Sequence, residues 1–317
     1  MTTKALRRRP YLPGLSLGDY LDFIEDRFPA FARVLWFDRT GGADALESLP
    51  RPARGGPTNG ANPRGDLGRH AQRDPMARAH GMRALFTLAA GVTSPERVPR
   101  GWNVLDPLGG DGVLAQVFAT MAPQAGHAVI TSDVAGEMVI EALRAGLPAV
   151  RQRARFLFMR DEAVDAVLLA YGTHRIPEAD RLPVCREAAR VLRPGGRLVI
   201  HDFEDASPAA PRPSGGARRP VAVGHPHPRL TAADMERCLA LSGLDAIRVH
   251  RVHDPLVLRR SSAAEARALL SGHLLDMEGP AVFRDGPDWV AEIPRVALVA
   301  VGEKRPEREA PVLRRSR

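Results

Sequence analysis

The residues best suited to chemistry fall into two groups. The first is a glycine-rich turn, Asp106-Pro107-Leu108-Gly109-Gly110-Asp111-Gly112, which joins a short apolar run to a helical one. Glycines at such a junction let the backbone approach a ligand closely, and the N-terminus of the following helix favours polar or anionic groups. Alone, the turn fits NAD, FAD or no ligand. Asp133 sharpens it, standing twenty-one residues beyond Gly112 at the end of the next apolar run, where a carboxylate can accept both hydroxyls of a ribose. Its competing role is a helix N-cap. The second group, Ala170-Tyr171-Gly172-Thr173-His174, closes a later apolar run. His174 could deprotonate a hydroxyl or amine, because its reference pKa lies near neutrality. It could equally be structural, closing the loop before Pro177. Tyr171 could line either cofactor or substrate. His201, Asp202 and Glu204 end a further run and are secondary candidates. His201 and Asp202 with the later His225 and His227 could surround a metal, but His-Pro-His-Pro reads as a stiff turn, and no metal is expected.

These groups need a scaffold. Residues 16–37 read as an amphipathic helix capped by Ser16, with Leu21, Phe23, Ile24, Phe28 and Phe31 near helical spacing. Residues 40–68 are crowded with Gly, Pro, Asn and Arg and read as loop or disorder. A second helix covers 74–90 and ends near Gly91. Strands at 102–106, 128–132, 166–171 and 197–202 then alternate with helices at 113–121, 138–145 and 181–192. Apolar runs buried on both faces and alternating with helices predict a mostly parallel sheet. A Pro/Gly-rich insertion follows at 206–229, then a helix capped by Thr231, a strand at 246–250, a helical segment at 262–275 and a strand at 295–302. The expected organisation is an N-terminal helical arm over 1–78, a core over 79–304 with insertions at 206–229 and 262–276, and a charged tail over 305–317. The arm and the first insertion are natural lids over a substrate.

Composition narrows the class. The 317 residues are 44% hydrophobic, with no apolar stretch of membrane-spanning length, and no apolar run follows the basic start. Cys185 and Cys238 are the only cysteines; they suit a reducing compartment and read as buried helix residues rather than nucleophiles. A cytoplasmic location is expected. The net charge of +8 raises the question of nucleic acid. The positive charge is nearly all arginine, in scattered pairs such as Arg218-Arg219 and Arg259-Arg260 without interleaved aromatic rings, which argues against a single-strand stacking surface.

Four phrases, in order and at normal spacing, resemble the class I methyltransferases that use S-adenosylmethionine, notably the small-molecule, type 11-like branch. They are Asp106 to Gly112, Asp133-Val134-Ala135-Gly136-Glu137-Met138, Arg153 to Val167 with Leu157, Asp161 and Asp165 in register, and Ala188 to Ile200 with its Arg193-Pro194-Gly195-Gly196 turn. The resemblance implies a Rossmann-like α/β fold: a seven-stranded, mostly parallel sheet with its last strand antiparallel and helices on both faces. It implies that Asp106, Leu108, Gly109, Gly110 and Gly112 hold the amino-acid end of S-adenosyl-L-methionine and Asp133 the ribose. Val134 would pack on the adenine and Ala154 offer it a backbone N–H, with Met138, Ala170 and Tyr171 completing the lining. Three positions depart from the family pattern: Leu108 stands for the usual first glycine, Arg153 for the adenine-binding acid, and Arg175 where a second histidine often follows His174. The expected activity is methyl transfer to a small-molecule acceptor, on oxygen or nitrogen in preference to carbon. The alternatives are an RNA methyltransferase, which needs a contiguous basic face, and a non-methylating regulatory homologue.

Overall fold

A computed structural model describes residues 4–50, 74–126, 129–204, 228–270 and 280–306. A two-stranded antiparallel pair, β1 (Pro10–Leu12) and β2 (Leu15–Ser16), precedes the central sheet. The strands of the central sheet are β3 (Val104–Asp106), β4 (Val129–Asp133), β5 (Ala149–Arg151), β6 (Val164–Leu169), β7 (Leu192–Phe203), β8 (Leu244–His253) and β12 (Val296–Lys304), in the order β5-β4-β3-β6-β7-β12-β8. The first five are mutually parallel, and β12 runs antiparallel to both β7 and β8. The expected seven-stranded Rossmann-like sheet is therefore present. β3, β5 and nearly all of β4 and β6 are buried, as a sheet covered on both faces requires. The chain leaves β3 toward β5 on one side and returns to β6 on the other. That reversal opens a crevice at the carboxyl edge, the usual ligand position in such sheets.

Local chemistry sets the helix ends. Helix Ala79–Ala90 stops at Gly91, which adopts φ 67 and lets Val92 N donate back to Thr87 O. An L side chain would be strained there. Helix Ala232–Leu241 begins with a capping box between Thr231 and Asp234. The helix read over 16–37 is shorter: Ser16 and Asp19 form a capping box, but the helix ends at Arg27 and a separate turn, Pro29–Ala32, follows. Pro29 lacks the N–H that would continue the ladder and is accommodated at the first position of that turn.

The described part of the expected N-terminal arm covers the free edge of the sheet at β5. The Tyr11 hydroxyl donates to Arg151 O (2.6 Å) and accepts from Arg151 N (2.8 Å), and Tyr20 donates to Ala149 O (2.8 Å). An unpaired strand edge invites intermolecular pairing, and here two phenols occupy its backbone groups. Tyr11, Tyr20, Phe37 and Phe158 pack ring to ring behind them. Residues 42–47, expected as loop, form the short helix Gly42–Glu47; residues 51–73 lie outside the described ones.

Three further strands make a small antiparallel sheet absent from the sequence reading: β9 (Leu256–Arg260), β10 (Ala281–Asp285) and β11 (Asp288–Ile293), in the order β10-β11-β9. Leu256, Leu258, Ala291 and Ile293 form a separate apolar cluster with Ala266 and Leu270 of helix Ala263–Leu270. Among the described residues, no helix is long and apolar enough to cross a membrane. The two cysteines, 53 positions apart, meet between helices Glu178–Val191 and Ala232–Leu241. The contact with Cys185 draws the Cys238 thiol down to about 7, while Cys185 is pushed well up.

Candidate active site

The glycine turn follows β3 at the crevice. Gly109 N donates to Ser132 O (2.9 Å), tying the turn to the end of β4. A Cβ on Gly109 would lie 2.8 Å from the Asp106 carboxylate, so only glycine lets the turn pass there. Gly110 has φ 59 and open space where a Cβ would stand. Gly112 is placed differently: a Cβ there would collide with Leu147 and crowd Thr131, so this glycine lets helix Val113–Met121 pack close to β4. Leu108 reaches across the crevice; a Cβ on Gly172 would lie 3.1 Å from its own Cβ. The residue that departs from the family pattern thus closes the gap between the ends of β3 and β6.

Asp106 is buried, and the N–H of Leu108 donates to it at 3.3 Å. Burial pushes its pKa up to about 8; the Leu108 N–H opposes this and the nearby Asp133 adds to it. Asp133 accepts from Ala135 N at 2.8 Å and is also approached by the Gly110 amide. Its pKa is raised by burial, against the backbone N–H groups and Arg175. Arg175, where the family pattern has a histidine, therefore acts on the Asp133 carboxylate. Helix Gly136–Arg144 has Ala135, not Asp133, as its N-cap, and carries the half-buried Met138. Val134 is half-buried, and its carbonyl accepts from Arg151 Nε (3.0 Å). These residues suit the expected cofactor: a buried carboxylate for an ammonium, a second for a ribose, and an open glycine backbone between them.

Arg153 turns outward, donating through Nε to Ser48 O (3.1 Å) and Ser48 Oγ (3.2 Å). Its partner is a backbone carbonyl and a hydroxyl rather than a carboxylate, and Ala154 beside it is half-buried. An arginine has donors but no acceptor for an adenine amino group. Arg153→Asp should therefore leave S-adenosylmethionine binding equal or tighter in a cofactor titration. Tenfold weaker binding would mean that the arginine touches the ligand.

Beyond β6, Ala170 is buried and Tyr171 takes the left-handed conformation, φ 54, uncommon for a bulky residue. Its ring lies 4.4 Å from that of His201. His201 and Asp254 are each 1% exposed, and His201 Nε2 stands 3.0 Å from Asp254 Oδ2. With the proton on Nε2, Nδ1 is left to accept from Tyr171 N at 3.5 Å, so the pair props the strained turn. Neither the Tyr171 hydroxyl nor Asp254 Oδ1 has a well-formed hydrogen bond, and burial and then the Asp254 carboxylate push the phenol well above its usual range. His174 lies half-buried on the single turn Thr173–Arg175.

Asp202 is not among these groups, since successive strand residues face opposite ways. Its carboxylate accepts from Phe203 N (2.9 Å) and Leu230 N (3.1 Å). Glu204 pairs with Arg251 (2.7 Å). His225 and His227 lie outside the described residues; among the described ones, no group of three His, Cys, Asp or Glu side chains is arranged to hold a metal ion. Sequence reasoning missed Asp254, Arg78 and Arg295. A signal existed for the first in Asp254-Pro255, which ends a strand at this same edge.

Sheet order, glycine turn and paired carboxylates define a class, the Rossmann-like domains that bind a nucleoside cofactor. Comparison with known proteins narrows it. Residues 105–200 match the family described as methyltransferase domain. The ubiquinone/menaquinone biosynthesis C-methyltransferase UbiE of Bartonella tribocorum is 34% identical over 112 residues, 33% of this chain and 42% of the relative. That of Brucella canis is 32% identical over 120 residues, 35% of this chain and 43% of the relative. The chain thus spans about two fifths of the length of the curated relatives it matches. Among solved structures, the YcgJ protein of Bacillus subtilis has 19% identity and a TM-score of 0.45, covering 71% of this chain and 99% of its own. A possible histamine N-methyltransferase of Thermotoga maritima has 15% identity and a TM-score of 0.43, covering 75% and 100%. Residues 105–200 therefore match a methyltransferase domain of the type 11 branch, and S-adenosylmethionine is the cofactor that this match implies.

Proposed function

We propose that the protein transfers the methyl group of S-adenosylmethionine to a small-molecule acceptor, on oxygen or nitrogen. The observation that supports this best is the convergence of Asp106, the Gly109-Gly110 turn and Asp133 at one crevice on the carboxyl edge. In this reading Asp106 holds the amino-acid end, Asp133 the ribose, and Leu108, Ala170 and Tyr171 the ground between cofactor and acceptor. The bound cofactor supplies an electrophilic methyl group. The protein's own part is to align the acceptor with it and exclude water, which is where much methyl-transfer catalysis lies. His174, on the turn after β6, is the candidate base for an acceptor proton.

Calorimetric titration with S-adenosylmethionine tests the reading. Binding should be seen in the wild type and weakened by about 1.5–3 kcal/mol in Asp133→Ala, the scale of a hydrogen bond to a charged group. No binding at millimolar cofactor would end the proposal, and an unchanged affinity in the variant would move the ribose elsewhere. Transfer of a carbon-13 methyl group, read by NMR, would then report the accepting atom.

A further inference from the structure

Three arginines converge on one ring at the acceptor side of the crevice. The guanidinium carbons of Arg295, Arg78 and Arg229 lie 5.2, 5.8 and 5.8 Å from the centre of Phe203, and Arg78 also lies 5.1 Å from the Tyr171 ring. They arrive from separate parts of the chain: the turn before helix Ala79–Ala90, the segment before helix Ala232–Leu241, and the entry to β12. All three are half-buried. Like charges gathered this closely repel, and the repulsion grows as water is excluded. Something must offset it.

Among the described residues, the carboxylates beside Arg78 and Arg295 do so incompletely. Asp254 is the one that acts on Arg295, and its Oδ2 is already bonded to His201. The Asp202 carboxylate is held by two backbone amides and Glu204 pairs with Arg251. Nε of Arg295 is buried without a hydrogen-bond partner. Burial, followed by the charges of Arg78 and Arg229, draws the Arg295 guanidinium down to about 10, against the pull of Asp254 and Tyr171. A buried donor with no acceptor, inside a group of three cations, is a site with an anion's chemistry written into it.

We infer that the acceptor is an oxyanion, a carboxylate or phosphate, gripped by Arg78, Arg229 and Arg295 beside Phe203. This rests on the reading of the carboxyl edge as the acceptor side. The arginines would fix the charged end beside Tyr171 and leave the rest of the molecule to reach the methyl group.

Benzoate, inorganic phosphate and the uncharged benzamide serve as probes, each titrated calorimetrically into the full chain. Benzoate or phosphate should bind at least tenfold more tightly than benzamide, the stronger of the two naming the anion. Raising the salt from 0.05 to 0.5 M should weaken that binding severalfold, as for a charge interaction open to solvent. Arg295→Met and Arg78→Met should each weaken it tenfold or more, and the milder Arg78→Lys should retain part of it. Equal binding of benzoate and benzamide, no anion binding at millimolar concentration, or anion binding indifferent to salt would overturn the inference. The salt series needs only the wild type and decides the matter even if the variants fold poorly. S-adenosylhomocysteine titrated in parallel separates the two readings. Cofactor binding without anion binding defeats this inference alone, and anion binding without cofactor binding defeats the proposed function alone.

Discussion

Cofactor affinity should rise about tenfold per pH unit between pH 6 and 8 and then level off, because binding must release one proton from Asp106. The carboxyl group is buried at the foot of the glycine turn, and burial lifts its pKa to about 8. Near pH 6 it is therefore protonated and neutral. On the proposed reading it must become a carboxylate to receive the ammonium at the amino-acid end of S-adenosylmethionine. A single obligatory ionisation gives a slope of one in log affinity below the pKa and zero above it. The sign for folding is opposite. An acid whose folded pKa is raised favours the folded chain fully below about pH 4, and that contribution is lost as the pH rises through 8. The ligand-free protein should thus weaken across the window in which it comes to bind its cofactor. Titration in paired buffers of different ionisation enthalpy measures the released proton directly, and Asp106→Asn should flatten the profile. A flat wild-type profile would place the ammonium elsewhere.

The cofactor half of the molecule was the legible half. β3, β4 and β6 are continuous apolar runs, and their ends carry the residues whose types announce a ligand: Asp106, the glycines and Asp133. The four ordered phrases supplied the seven strands and the antiparallel last one, which periodicity alone could not. Two of their residues have a part in holding the fold. Asp165 accepts from Asn103 N (2.7 Å) and from Arg193 (2.8 Å), pinning the start of β3 to the turn of β7. Gly112 is a packing residue. A recurrent phrase does not distinguish a residue that touches a ligand from one that holds the strand bearing it.

The acceptor half was less legible because its contacts are long-range. His201 was visible at the end of β7, but its partner Asp254 lies 53 residues later, just past the end of β8. The arginines around Phe203 come from positions 78, 229 and 295, and nothing local distinguishes them from the other arginines of a chain rich in them. The small sheet was missed for another reason. β9 buries only Leu256 and Leu258, β11 buries Val290, Ala291 and Ile293, and the two lie on either side of 271–279, so no single window carries the signal. The three-residue β5, all buried, is too short for a period. Its place is set by its parallel pairing with β4.

Glu187→Gln should cost about 3–5 kcal/mol near neutral pH, the loss expected when one member of a buried ionic network is neutralised and its partners are left charged. The Glu187 carboxylate accepts from Arg39 (2.8 and 3.2 Å), Arg190 (3.0 Å through each oxygen) and Leu157 N (2.9 Å). Arg39 and Arg190 in turn donate to the Leu157 carbonyl (2.9 and 3.1 Å). The network therefore ties three separate pieces together: the N-terminal arm, the segment before β6, and helix Glu178–Val191. Both Glu187 and Arg39 side chains are 15% exposed, so water screens the cluster little. Burial would raise the carboxyl group's pKa, but the hydrogen bonds from Arg190 and Arg39 overcome it and hold the value at about 2. For an acid depressed in this way the contribution is present above about pH 4.5 and is lost as the pH falls toward 2; a shift of that size corresponds to roughly 3 kcal/mol. Urea unfolding of wild type and variant from pH 7 down to pH 2 should show the gap closing across that window. Asp161→Asn is the control: Asp161 pairs with the same Arg190 at 2.6 Å but its side chain is 65% exposed. That substitution should cost no more than about 1 kcal/mol. If Glu187→Gln proves equally mild at pH 7, the arm is held by its aromatic packing and its tyrosine hydrogen bonds to β5, and the buried network contributes little.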